Sequence, residues 1–370
     1  MNKILTIAMI GIAMGGAALA ATEPAPVQNK ESAGMQEWLR PYLEPEYNPP
    51  EGMDKDRASI KENARKITEA LPAKLSAPVG SKKRILVLSY KPAGQVHVPG
   101  MGGCLELLRA AAKKYPGAFE VVESYTHEGI DAKMLAGFDV VVLNNISQCW
   151  GLKAEDDLYN KLLPEFVKNG GGLFAVHGSA LLLKDKPDSE YNKMLGGFTA
   201  NSKLIQSNVH PKAVQGFNCC SRFPVKLIEA GNPLAAAFRM EPAKFTYLAA
   251  QVNGNKRSEF PVAFNAPLEL VDELYVMSPE SNQDKTARVI ASVDPDKVPK
   301  ESYPEANDFS YALIWIKPYG KGRVYYNQLG HNQGIFTVPC VALAMLDGLQ
   351  YATGDLNVPD LSAKVAPTGQ

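Results

Sequence analysis

Four short runs in the first half of the chain are apolar almost throughout: Ile85-Leu86-Val87-Leu88, Phe119-Glu120-Val121-Val122, Val140-Val141-Val142-Leu143 and Gly172-Leu173-Phe174-Ala175-Val176. A strand with one wet face alternates apolar and polar residues, whereas runs of this kind belong to strands buried on both faces. Helical stretches lie between them, from about Gly102 to Lys114 and from Asp156 to Lys168. Each crossover returns the chain to the same end of the sheet, so the strands pair in parallel. The expected fold class is therefore α/β, a doubly wound, mostly parallel sheet.

Beyond residue 196 the runs become shorter and more polar, as in Val225-Lys226-Leu227, Glu273-Leu274-Tyr275-Val276-Met277 and Arg288-Val289-Ile290-Ala291. Tyr311 to Ile316 and Arg323 to Tyr326, joined through Pro318-Tyr319-Gly320-Lys321-Gly322, predict an added antiparallel hairpin. A final helix is expected from about Val338 to Tyr351. These elements place one main domain at residues 82–354, with a tail at 355–370.

Residues 1–20 carry Lys3, an apolar run from Ile4 and Ala18-Leu19-Ala20 before a polar stretch. That is the pattern of a cleaved secretory signal peptide, so the expected location is the periplasm or outside the cell, without stable membrane insertion. Residues 21–81 are rich in Pro, Glu and Lys, with a polar helix near Asp54 to Leu71, and hold too little apolar material for a core of their own. They read as an extension lying on the domain. The chain is 45% hydrophobic and balances 39 basic against 39 acidic residues. That balance, without a basic stripe, argues against nucleic acid as a partner. Five cysteines, Cys104, Cys149, Cys219, Cys220 and Cys340, leave at least one thiol free or paired between chains, and self-association stays open.

In an open parallel sheet, ligands bind beyond the carboxyl ends of the strands. The residues there are polar: Tyr90, Lys91, Gly94 and His97 after the first strand, Asn144, Asn145 and Ser147 after the third, and His177, Gly178 and Ser179 after the fourth. Asn327, Gln328, His331 and Asn332 follow the hairpin. Three of five histidines thus fall on the expected ligand side, where imidazole serves as acid, base or metal ligand.

Ala93-Gly94-Gln95-Val96-His97, Gly170-Gly171-Gly172-Leu173-Phe174-Ala175-Val176-His177-Gly178-Ser179, Asp272-Glu273-Leu274-Tyr275, and Gly320-Lys321-Gly322-Arg323-Val324-Tyr325-Tyr326 with Gly330-His331-Asn332 occur in that order. Together they resemble the landmarks of the ThuA-like (trehalose utilisation) family, over residues 84 to about 354. The resemblance implies a fold similar to the class I glutamine amidotransferases, flavodoxin-like in its winding. It also implies a role in carbohydrate metabolism, often beside sugar oxidoreductases, and in some members a bound metal.

On this basis His177, Glu273 and His331 are the candidate catalytic residues for proton transfer on a sugar or keto-sugar, as in an isomerase, epimerase or lyase. The same three suit a divalent, zinc-like ion. His97, Gly102, Gly103, Asn144, Tyr275 and Asn332 are the candidate substrate-binding residues for a small carbohydrate. Gly102-Gly103 is expected at a helix N-terminus, where backbone N–H groups face a ligand. Asp272 should alternate away from the pocket that Glu273 enters.

Two positions depart from the family pattern: Asn201, after Gly196-Gly197-Phe198, and Asn232-Pro233 stand where relatives commonly have histidine, with His210 a spatial substitute to weigh. The sharp turn after the fourth strand offers His177 where an amidotransferase has its cysteine, so glutaminase chemistry is not expected. The alternative is a non-catalytic sugar-binding or interaction protein that uses aromatics such as Tyr90, Trp150, Tyr275, Trp315, Tyr325 and Tyr326.

Overall fold

The computed structural model describes residues 39–42, 54–90, 97–147, 157–199, 221–253, 256–298 and 309–359. The expected signal peptide, residues 21–38 and 43–53 of the extension, Lys91, Gly94, Cys149, Trp150, Asn201, His210, Cys219, Cys220 and most of the tail lie outside them. Among the described residues no helix is long and apolar enough to cross a membrane.

The apolar runs form β1 (Lys83–Leu88), β2 (Phe119–Ser124), β3 (Val140–Asn144) and β4 (Gly172–Val176). Three strands of the second half follow: β5 (Ser221–Leu227), β6 (Ala243–Asn253) and β7 (Lys256–Ala266). The last four are β8 (Glu269–Asp272), β9 (Arg288–Val293), β10 (Ala312–Tyr319) and β11 (Gly322–Asn327). All but β6 and β7 join one nine-stranded sheet in the order β2-β1-β3-β4-β11-β10-β9-β5-β8. The sector from β2 to β11 is parallel, and from β11 outward the pairing is antiparallel, so only β10 and β5 run against the rest.

Burial explains the unbroken runs. Ile85, Val87, Val140, Val142, Phe174 and Val176 belong to one core, and their neighbours Leu86, Leu88, Val141, Leu143, Leu173 and Ala175 belong to another on the opposite face. The first core is covered by α2 (Val98–Lys114) and α5 (Pro339–Thr353), the second by α3 (Leu163–Lys168) and α4 (Glu190–Leu195). At roughly 1.5–3 kcal/mol for each fully buried aliphatic side chain, this two-sided burial fixes the sheet. Helix α1 (Asp54–Ala70) lies where the polar helix of the extension is expected.

Three elements differ from the sequence expectation. The helix expected over 156–168 is broken by a wider turn at Leu158–Leu162, where Leu163 N–H bonds Leu158 O, just before Pro164 removes a donor. The segment Glu273–Met277 is extended, with Met277 bridging Thr199, but forms no full strand. The β6–β7 ribbon carries Pro261 in its interior, a residue that argues against a central strand. A two-stranded ribbon has only edges, so the missing N–H is tolerated, while Tyr247, Val262 and Phe264 pack into the first core.

Asp347 is buried in α5 within electrostatic reach of Tyr325. Burial pushes its carboxyl up from 3.8 to about 6, partly offset by the Ser76 hydroxyl. A carboxyl whose pKa is higher in the folded chain holds its proton there longer than in the unfolded chain. Its stabilising contribution is complete below the unfolded value and is lost as pH rises to about 6. The stability gap between Asp347→Asn and the parent should therefore move in the variant's favour by about 2–3 kcal/mol between pH 4 and pH 8. Thermal melts at both pH values check this, and a gap independent of pH would contradict it.

Candidate metal centre

The site forms where strand ends converge. His97 immediately precedes α2, His177 is the first residue after β4, Glu273 the first after β8, and His331 lies in the loop after β11. Each offers one donor atom, and the four atoms lie within 4.8 Å of one another, all in buried side chains. Glu273 Oε2 stands at their centre, 2.9 Å from His177 Nε2, 2.8 Å from His331 Nδ1 and 3.5 Å from His97 Nε2. The Tyr275 hydroxyl is 2.9 Å from both His97 Nε2 and His177 Nε2.

By pairing order β8 is the edge strand four places from β11. In a flat sheet that separation would be roughly 19 Å, at 4.7–4.9 Å per strand. The contacts of Glu273 therefore require the antiparallel sector to curl back over the carboxyl ends of the parallel one.

His177 occupies a sharp turn with φ of 41°, a left-handed value that a side chain rarely adopts. The turn leads straight from β4 into a short helical segment, His177–Leu181. Tyr326 Oη donates to His177 O at 2.8 Å, and Gln328 O accepts from His177 Nδ1 at 2.6 Å. A carbonyl can only accept, so Nδ1 carries the proton and Nε2 of the neutral ring is a lone pair. That lone pair faces a carboxylate oxygen at 2.9 Å, which is repulsive unless a proton or a cation stands with them. Tetrahedral donors at roughly 2.1 Å from an ion lie about 3.4 Å apart, close to the spacings here. Three imidazoles and a carboxylate thus fit a divalent ion, and this group could hold one.

With protons rather than an ion between these donors, the imidazoles act on the carboxyl directly. Burial by itself would raise the Glu273 carboxyl, but the charge of His331 and hydrogen bonds from His177, His331 and His97 hold it well below the usual carboxylate range. Burial and the Glu273 charge push the Tyr275 phenol well above its ordinary value, so it keeps its proton.

A model of the trehalose utilisation family, ThuA, matches residues 84–352. The chain belongs to this family. Among solved structures, a ThuA-like protein from Bacteroides uniformis is 19% identical with a TM-score of 0.50, covering 75% of this chain and 93% of its own. A second ThuA-like protein, from Parabacteroides merdae, is 17% identical with a TM-score of 0.39, over 76% of this chain and 93% of that one. The first of these likenesses shows the fold. No curated protein matches the chain.

Within the ThuA fold, the sequence candidates separate into two groups. His177, Glu273, His331, His97 and Tyr275 come together. Asn144 does not: its Nδ2 donates to Ser89 Oγ and Met101 O, both at 2.9 Å, tying β3 to β1 and α2. Asn332 Nδ2 donates to Asp272 Oδ1 at 3.3 Å. Asp272 stays out of the cluster as expected, and Oδ2 accepts Gly330 N–H at 2.7 Å and His331 N–H at 3.3 Å.

Gly102 and Gly103 are not at a helix N-terminus. Helix α2 begins at Val98, and a Cβ on Gly102 would meet the Tyr42 ring at 2.2 Å, while one on Gly103 would meet Phe336 at 2.5 Å. They are packing positions rather than a ligand cradle, because close approach of neighbouring elements selects glycine inside a helix despite its propensity.

Of the two departures from the family pattern, Asn232 lies among the described residues. Asn232 caps a short helical segment, accepting Leu234 N–H at 3.0 Å. Ser179 Oγ donates to Leu143 O at 2.9 Å, which leaves it no nucleophilic role. Tyr275, Trp315, Tyr325 and Tyr326 are buried, so they offer no exposed stacking face. Cys104 and Cys340 are free and buried, and burial pushes both thiols up to about 12.

Sequence reasoning gave Gln328 and Asn145 no role. Gln328 Oε1 accepts Tyr275 N–H at 2.6 Å while its carbonyl holds His177. Asn145, at φ of 56°, accepts Gly178 N–H at 3.2 Å and donates to Gly330 O at 3.3 Å, joining the loops after β3, β4 and β11. Their only sequence signal is position just after a strand.

The His97 helix and the His331 loop touch through backbone, since a Cβ on Gly100 would lie 1.8 Å from Gly330 O. Gly100→Ala should cost more than about 2 kcal/mol of stability by urea unfolding, as overpacking does. Gly117→Ala, with nothing within 4 Å, should be close to neutral. Equal effects of the two would show that this approach can relax.

Proposed function

We propose that this ThuA protein is a carbohydrate-acting enzyme that moves a proton next to the carbonyl of a sugar or keto-sugar, assisted by a divalent ion. The observation that carries the reading is the buried convergence of three imidazoles, one ionised carboxylate and one protonated phenol. A site for binding alone has no need of such a titratable set. The family description, trehalose utilisation, supports a carbohydrate as the substrate.

His97, His177 and His331 would hold the ion, with Glu273 as the fourth donor in the resting site. When bound, the ion supplies Lewis acidity that polarises a carbonyl oxygen. Glu273, held ionised, accepts the proton as the adjacent C–H bond breaks and the electron pair moves to the carbonyl oxygen. Tyr275 keeps its O–H and donates it as a hydrogen bond to that oxygen as charge develops. Gln328 holds His177 and Tyr275 in register through its carbonyl and amide oxygens.

Elemental analysis of chain purified without a histidine tag should find close to one divalent ion per chain, removed by chelator together with turnover. Against a panel of oxidised and ordinary sugars, His177→Ala should lose at least about a hundredfold in kcat/KM, within the range of general acid–base and metal contributions. A parent free of metal and indifferent to chelator would end the metal-assisted reading. Undiminished turnover in His177→Ala would remove that residue from the chemistry.

A further inference from the structure

The family match begins at residue 84, yet the chain before it reaches the metal centre. Leu39, Tyr42 and Ile60 form a small core of their own with Val98 and Met101. Val98 is the neighbour of His97, and the Tyr42 ring fills the space that Gly102 leaves open one turn further along α2. Arg109, also on α2, donates to Tyr42 O at 3.4 Å.

The second anchor lies on the other side of the site. Asn63 Nδ2 donates to Gln333 Oε1 at 3.2 Å, and Gln333 Nε2 donates to Ile60 O at 3.3 Å. Gln333 stands two residues after His331, and its side chain is 2% exposed, so its bonding needs are met by α1. Two of the four donor residues therefore have close neighbours in sequence, Val98 and Gln333, that are held by the N-terminal segment.

We infer that Tyr42 and helix α1 are a working part of the metal centre, positioning His97 through Tyr42 and His331 through Asn63, so that ion affinity depends on residues outside the family domain. The inference rests on the metal reading above. Groups that fix the ligands of a metal from outside are worth about ten- to a hundredfold in affinity, because they decide whether the donors stand ready or must be ordered by the ion.

The same segment is tied down a third time at the far end of the sheet, where Gln350 Oε1 accepts Ala77 N–H at 3.1 Å and Gln350 Nε2 donates to Ala77 O at 2.7 Å. That anchor touches no donor residue and serves as the control. In the full-length, metal-free chain, cobalt(II) binding followed by visible absorption should weaken about tenfold or more in Tyr42→Ala and in Asn63→Leu. Gln350→Leu should lower the thermal midpoint and bind cobalt as the parent does.

Parent-like cobalt affinity in both Tyr42→Ala and Asn63→Leu would overturn the inference and leave the segment a structural wrap. Equal weakening in Gln350→Leu would also overturn it, by assigning the effect to general destabilisation. If the parent itself binds no cobalt, the metal reading fails. The imidazole NMR signals of His97 and His331 then decide: shifts confined to the Tyr42 and Asn63 variants sustain the positioning role, and unchanged signals reject it.

Discussion

The Glu273 carboxylate is the constraint around which the strand ends are arranged. A negative charge removed from water is tolerated only where positive or proton-bearing groups meet it. Here they come from three separate places in the chain, His97, His177 and His331, with the Tyr275 hydroxyl beside them. Each arrives on a different loop, so satisfying one carboxylate registers the β1, β4 and β11 ends against the segment after β8.

A layer of hydrogen-bonding groups makes that registration durable. Gln328 fixes which nitrogen of His177 carries the proton, Asp272 gathers the backbone of the His331 loop, and Asn145 joins the turns after β3 and β4 to Gly330. None of these side chains is among the four donors. They convert a set of donors into an oriented one, which is the part of a metal site that distinguishes affinity from mere composition. The left-handed backbone at His177 belongs to the same device, because an unfavourable conformation persists only where surrounding bonds over-determine it.

The turn after β4 carries His177, a member of the buried group, at its tip. A nucleophile needs an exposed, activated group at the tip of that turn. His177 fills the position and is committed on both ring nitrogens, while Ser179 is bonded to a strand carbonyl. The turn therefore presents a histidine that belongs to a group able to hold a metal ion, and the chemistry follows from the side chain rather than the fold.

The sequence by itself determined the parallel half of the sheet, the hairpin of β10 and β11, and three of the histidines at the ligand end. Strands buried on both faces must be apolar throughout, and residues following a parallel strand must lie at its carboxyl end, so both can be read along the chain. It did not determine how Glu273 reaches them, since β8 is the furthest strand from β4 in that direction and only the curl of the sheet closes the gap. Nor did it separate His97 as a donor from Asn144 as a strut, or mark Gly102 as the seat of Tyr42 rather than a ligand cradle. Those assignments depend on which elements meet across more than forty residues of sequence, and such encounters are set by packing of the whole core rather than by any local pattern.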